Sequence, residues 1–282
     1  MDDREVVAAI AAGDPAGIAV AYDRYADALY SYCHWMLRQP QDAADAMVHT
    51  FVFAAATLGG LPEAPKLRPW LYAVARNECL HRPRTRSAVG GEEVHAARRP
   101  AHAADRSADV GRDPGQAELR TLILTILAEL KPLEREIIEL ILRHELYDAD
   151  LAVALGVSWS RAHALASHAL GHLEKALGTL LVASAGRGAC PALDTLLADW
   201  DGQLTKQTRK LVGGHISQCK TCTDRKWGKL RPAALAGLLP QAARSPGLRE
   251  RVLGLCSSTS HDTVAYQRAE STRHGVRLFD SC

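Results

Sequence analysis

The sequence predicts an all-α protein. Alanine and leucine recur at spacings of three and four, long alternating β-branched runs are absent, and capping carboxylates and prolines stand where helices would begin. Of the 282 residues, 47% are hydrophobic but only 5% aromatic, so any core must come from helices packed through aliphatic and small faces. The length leaves room for two or three small domains.

The first predicted domain covers 1–82. Val6, Val7 and Ile10 give one short amphipathic helix, which Gly13 ends. Asp14 followed by Pro15 is a helix start, a carboxylate cap with proline in the first turn. Ile18, Tyr22, Tyr25, Leu29, Tyr32 and Met36 then form one stripe on a long helix that Pro40 breaks. Asp42 opens a third helix with Ala43, Met47, Thr50, Phe51 and Ala54 on one side. After a loop rich in glycine and proline, Pro69 begins a fourth, whose Trp70, Leu71, Val74 and Ala75 face inward while Arg68, Arg76, Asn77 and Arg82 point out.

Three motifs in this stretch, AGDPAGIAVAYDRYADALYSY, DAADAMVHTF and RPWLYAVARNECLHR, resemble region 2 of extracytoplasmic-function sigma factors in order and spacing. The resemblance implies that the third helix docks on RNA polymerase core, with Asp42, Asp45, Met47 and Phe51 at the contact. It also implies that the fourth helix and the loop before it melt and hold the −10 element of promoter DNA, through Lys66, Arg68, Trp70, Arg76 and Asn77. Cations for phosphate and apolar surfaces for unstacked bases suit that task. Where the family usually carries Gln and then an acidic residue, this chain has Val48 and His49.

Residues 83–117 carry charge, Gly, Ala and Pro without apolar periodicity and read as a flexible linker. In the resembling family the corresponding segment threads the polymerase cleft; a plain tether is the other reading.

In 118–180, Leu119, Leu122, Ile123, Ile126, Leu127 and Leu130 form a stripe, and Pro132 starts a helix with Leu133, Ile137, Leu140 and Ile141 inward. Asp148 is placed to cap a short helix through Leu155, Gly156 to make a turn, and Ser158 to cap the next helix. This helix-turn-helix order resembles sigma region 4, whose second helix reads the −35 element. The resemblance puts Ser158, Ser160, Arg161, His163 and His168 at the DNA. This helix offers Arg161 and then His163, Leu165, His168, Leu170 and His172 where the family carries Lys and Arg. A neutral histidine releases no counterion. With 6 basic and 9 acidic residues the domain is net −3. His168 and His172, four apart on one helix face, fit either a metal pair or the solvent side of a helix that binds protein.

In 187–243 four ligand-type residues follow in order: Cys190, His215, Cys219 and Cys222. His215 and Cys219 share a helix face, Cys222 lies one turn on, and Cys190 can complete a tetrahedron around one structural Zn2+. A buried or redox pair at Cys219 and Cys222 is the alternative. The spacing, with DGQLT before the second helix, also resembles the zinc-binding anti-sigma domain family, whose members bind a sigma factor and occlude its polymerase-binding surface. Four protein ligands leave no open position, and HExxH is absent, so hydrolytic zinc chemistry is not expected. Metal would staple a domain of about 40 residues, too small for a sufficient core of its own. Trp227, Leu230, Leu235, Leu238 and Leu239 are a candidate docking or packing helix. Residues 244–282 read as one short helix, SPGLRERVLGLC, and a polar, partly disordered tail in which Cys256 and Cys282 are redox-active or inert.

The expectation is a sigma factor, not an enzyme, that directs promoter-specific initiation under regulation in cis by its own zinc module or by a separate regulator. The alternative is a sigma-derived interaction protein that binds polymerase or another factor without −35 recognition. MDDREVV lacks the order of a signal peptide, no apolar run reaches the ~18 residues of a membrane helix, and seven cysteines of uneven spacing fit a reducing compartment. These features predict a cytoplasmic protein without a membrane partner. Charge is uneven: 1–82 holds 7 basic and 10 acidic residues, and 181–282 holds 15 and 8.

Overall fold

The computed structural model describes residues 1–61, 63–82, 120, 123–127, 130–200, 205–224, 242–244 and 246–258. The linker 83–117, Leu119, Leu122, the DGQL of the zinc segment, the Trp227–Leu239 stretch and the tail with Cys282 lie outside them. Every regular element among the described residues is helical, as the sequence predicts. They form two compact units that do not follow chain order. One comprises Met1–Glu93, Leu146–His163 and Gln241–Cys282, the other Val94–Glu145 and Ala164–Pro240.

In the first unit, α1 (Asp3–Ala11) begins at a capping box. The Asp2 carboxylate accepts from the Glu5 N–H at 2.9 Å, and Glu5 accepts from the Asp2 N–H at 2.7 Å. Helix α2 (Pro15–Leu37) is capped by Asp14, which accepts from the Ala16 N–H at 2.9 Å. The two helices touch at Gly17: a Cβ there would stand 2.7 Å from the Ile10 backbone nitrogen, so only glycine fits. Helix α3 (Pro40–Thr57) starts two residues before the predicted Asp42, because Pro40 opens the first turn and does not end the previous one. Helix α4 (Leu67–His81) likewise starts ahead of Pro69, a first-turn residue whose missing N–H costs no hydrogen bond.

The core of this bundle is aromatic despite the small aromatic count. Tyr22 packs on Phe51 with ring centroids 5.3 Å apart, Tyr32 on Tyr72 at 5.5 Å, and Phe53 stacks on Trp70 at 6.0 Å. Pro40–Gly60 is long and apolar enough to cross a membrane by length and composition, with mean hydropathy 1.2, contrary to the sequence expectation that no stretch qualifies. Over half of that span is buried within the protein, because α3 lies between α2 and α4 and has apolar neighbours on both sides.

Helix α6 (Asp148–Leu155) packs on α4, and Lys66 Nζ reaches Asp150 Oδ1 at 2.9 Å. Asp148 is the first helical residue, at φ +48°, and does not cap; Tyr147 occupies the cap position without a side-chain bond. Gly156 at φ +66° ends α6 in the left-handed region, where glycine carries no Cβ penalty. Ser158 then meets the Arg161 N–H at 3.4 Å, opening α7 (Trp159–Ala185).

Helix α11 (Leu248–Ser258) also belongs to this unit and packs on α2 and α3. Leu248 and Val252 are buried on its inner side. Its arginines meet the acidic side of the bundle: Arg249 grips Asp23 at 2.7 and 2.9 Å, and Arg251 Nη2 donates to Asp45 Oδ1 at 2.7 Å. Just before the helix, Arg244 pairs with Asp27 and donates to the Tyr22 hydroxyl at 3.1 Å.

In the second unit, α5 (Pro132–Leu142) buries Ile137, Ile138, Leu140 and Ile141, while Leu133, expected inward, is 39% exposed. The C-terminal part of α7 leads through a 3₁₀ turn (Arg187–Ala189) into α8 (Pro191–Leu196), then α9 (Lys206–Gln218) and α10 (Lys220–Asp224). Val182, Ala183, Leu193, Leu197 and Val212 form a small core with Cys190 and Cys222. Leu196 of α8 is 38% exposed, since a helix of six residues presents only one inward stripe.

Candidate metal centre and nucleic-acid interface

Four ligand atoms converge in the second unit. Cys190 sits between the 3₁₀ turn and α8, His215 in the last turn of α9, Cys219 at the end of α9 and Cys222 in α10. The Cys219 N–H closes α9 on the His215 carbonyl at 2.9 Å, which fixes the direction in which both side chains leave the helix. Cys190 Sγ lies 3.3 Å from His215 Nε2 and 3.8 Å from Cys219 Sγ, and Cys222 Sγ lies 3.3 Å from His215 Nε2. All four ligand atoms fall within 4.8 Å of one another. A zinc tetrahedron with Zn–S near 2.3 Å and Zn–N near 2.0 Å has edges of about 3.8 Å between sulfurs and about 3.5 Å between sulfur and nitrogen. The residues present fit such an ion, and the set is closed.

Protonation within the cluster is unequal. Burial pushes the Cys222 thiol up to about 12, with the Cys190 and Cys219 sulfurs adding to the effect. Cys219 is drawn below the usual thiol value by the Cys222 backbone N–H. Sulfurs this close do not ionise together without a cation among them, and a bound dication would hold all three as thiolates.

The residues assigned to the polymerase and −10 contacts divide by depth. Asp42 and Asp45 are half-buried at the surface of α3. Met47 and Phe51 are 0% exposed, and they lie on the inward stripe of the same helix. Trp70 is equally buried, stacked on Phe53. The expectation that these three meet polymerase or bases directly is corrected accordingly: their side chains set the packing of α3 and α4. Lys66 is exposed, and Arg68, Arg76 and Asn77 are half-buried. Asp45 is shared between two arginines, Arg251 and, at 3.9 Å, Arg82.

Ser158, Ser160, Arg161 and His163 all lie exposed at the start of α7. The His163 ring stacks on Trp159, which is 55% exposed and which sequence reasoning passed over. An aromatic first residue after a capping serine on an otherwise polar helix start was its available signal. His168 is engaged elsewhere: its Nδ1 lies 3.2 Å from Glu134 Oε1, and so does that of His172. Sequence reasoning also missed the contact of α11 with α2 and α3. The acidic surplus of 1–82 against the basic surplus of the C-terminal third was the signal for it.

Residues 21–89 match the family model described as Sigma-70 region 2. The match runs from within α2 through α4, and it supports a sigma-70 type role in transcription initiation, with RNA polymerase core and promoter DNA as the partners such a domain implies. No curated protein and no solved structure matches the chain.

Proposed function

We propose that this protein is a sigma factor of the extracytoplasmic-function type, regulatory and not catalytic, acting in the cytoplasm, whose C-terminal extension controls it in cis. In this reading α3 offers Asp42 and Asp45 to RNA polymerase core. The segment from Lys66 through Asn77 serves the −10 element, and Ser158, Ser160, Arg161 and His163 serve the −35 element. Zn2+ held by Cys190, His215, Cys219 and Cys222 staples the extension as a small structural domain.

The observation that carries the cis reading is the seat of α11 on α2 and α3, with Arg251 on Asp45. A tethered segment has a local concentration on the order of millimolar, so a modest contact is largely occupied. Polymerase and α11 would then compete for one carboxylate. The test compares the full chain with a chain ending at Leu180 in core-polymerase binding and run-off transcription. Higher affinity and more transcript from the shorter chain support the reading; equal values reject it.

A second reading, a sigma-derived interaction protein without −35 recognition, is favoured by one observation. The exposed part of α7 from 159 to 172 carries Arg161 as its one fixed cation. Polymerase binding without a specific transcript, in the shorter chain as well, would select it.

A further inference from the structure

We propose a second metal site, for a divalent borderline cation such as Zn2+, Co2+ or Ni2+, held by Glu134 of α5 and by His168 and His172 of α7. It is separate from the cysteine cluster and independent of the sigma-factor reading. Glu134 Oε1 stands 3.2 Å from Nδ1 of His168 and 3.2 Å from Nδ1 of His172, and the three ligand atoms lie within 4.8 Å of one another. Oxygen and nitrogen donors at about 2.0–2.1 Å from a tetrahedral ion stand about 3.3–3.4 Å apart. Both contacts of the carboxylate are therefore close to the edges of such a tetrahedron.

Three features make this more than a surface cluster. Glu134 is 8% exposed, and its second oxygen, Oε2, accepts from the Lys131 N–H at 3.2 Å, which turns Oε1 toward the imidazoles. A hydrogen bond that orients a ligand from behind is the usual support of a metal-binding carboxylate. The two histidines are four apart on α7, so one helix face presents both, and their ring centroids are 4.2 Å apart. As an ion-pair arrangement this geometry is poor. Two imidazolium rings at that separation repel, and both would draw on one carboxylate oxygen. A dication between the two nitrogens and the oxygen removes the repulsion and uses every lone pair that converges there.

Imidazole and carboxylate donors suit zinc, cobalt and nickel, whereas magnesium and calcium want oxygen ligands throughout. Only three protein donors are present, and the histidine side chains are 57% and 47% exposed. The ion keeps an open position toward solvent, available to water or to an oxygen anion such as a phosphate. Bound metal would tie α5 to α7 and place positive charge on a helix that has little of its own.

Cobalt titration of the full chain tests the site, because cobalt reports its ligands. The cysteine cluster gives thiolate-to-cobalt charge-transfer bands, and a two-histidine, one-carboxylate site gives none. The expected result is one cobalt equivalent beyond those that carry charge-transfer intensity. That equivalent is lost in His168→Ala/His172→Ala and in Glu134→Gln, with the charge-transfer bands unchanged. Glu134→Gln conserves shape and helix content, so it decides the matter even where the double variant fails to fold. No band-silent equivalent in the wild-type chain, or one that survives Glu134→Gln, overturns the proposal.

Discussion

Arg251 Nη2 donates to Asp45 Oδ1 at 2.7 Å, joining residues 206 positions apart in the chain. It is one of three arginine-carboxylate pairs by which the segment 244–251 meets α2 and α3, the others being Arg249 on Asp23 and Arg244 on Asp27. Leu248 and Val252 bury an apolar stripe beneath these pairs, so the contact has a greasy centre and a charged rim.

Charge reversal at the rim should open the contact. Exposed ion pairs contribute about 0.2–1 kcal/mol each, so Arg251→Glu alone is expected to raise core-polymerase affinity only a few-fold. Arg244→Glu, Arg249→Glu and Arg251→Glu together should approach the affinity of the chain ending at Leu180. Raising ionic strength should act in the same direction. Equilibrium binding to core polymerase at two salt concentrations checks both outcomes.

The same rim has a defined pH response. The Arg249 guanidinium holds the Asp23 carboxyl below its ordinary 3.8. A carboxyl lowered in the docked state contributes stability that is complete above the ordinary value and is lost as pH falls through the lowered one. The grip of α11 should therefore be constant from neutral pH down to about 4 and weaken only below that. Hydrogen exchange over 248–258 as a function of pH reads this directly. Loss of protection between pH 8 and 5 would contradict it.

Removing the Zn2+ proposed for the cysteine cluster should unfold the α8–α10 segment and leave the α1–α4 bundle standing. The shared apolar core around Leu193, Leu197 and Val212 is small and has Cys190 and Cys222 built into it, so the metal-free form has little to hold it. Cys219→Ser should cost the zinc equivalent that carries thiolate ligation and expose 190–224 to limited proteolysis. Metal analysis and a protease time course measure the two effects.

Met47, Phe51 and Trp70 should behave as core residues. Trp70→Ala is expected to destabilise by about 3–5 kcal/mol and Met47→Ala by about 2–5 kcal/mol. Met47→Leu, which conserves volume, should leave both stability and polymerase binding near wild type. Gly17→Ala should cost about 1–3 kcal/mol, because its Cβ meets the Ile10 backbone at 2.7 Å and neither helix can give way cheaply. Thermal melts of the four variants separate packing from interface effects.

The sequence by itself determined the described helices and most of their inward stripes, and it put His215, Cys219 and Cys222 within two turns of one another. Such features are local: periodicity, caps and i, i+4 spacing lie within one or two turns of chain. The packing faces of α1–α4 were legible for the same reason, since Tyr22, Met47, Phe51 and Val74 each announce a face. Helix starts moved by two residues at Pro40 and Pro69, where a proline reads equally as a stop or as a first turn. Depth was decided only by the tertiary structure. Asp45, Met47 and Phe51 share one helix, yet packing by α2 and α4 leaves the first at the surface and takes the other two inside. Partnership across the chain was likewise decided by folding. Glu134 gives no sign in sequence of standing beside His168 and His172, and Arg251 none of meeting Asp45. Long-range pairs depend on how whole helices dock, and the apolar area that drives docking carries no direction of its own.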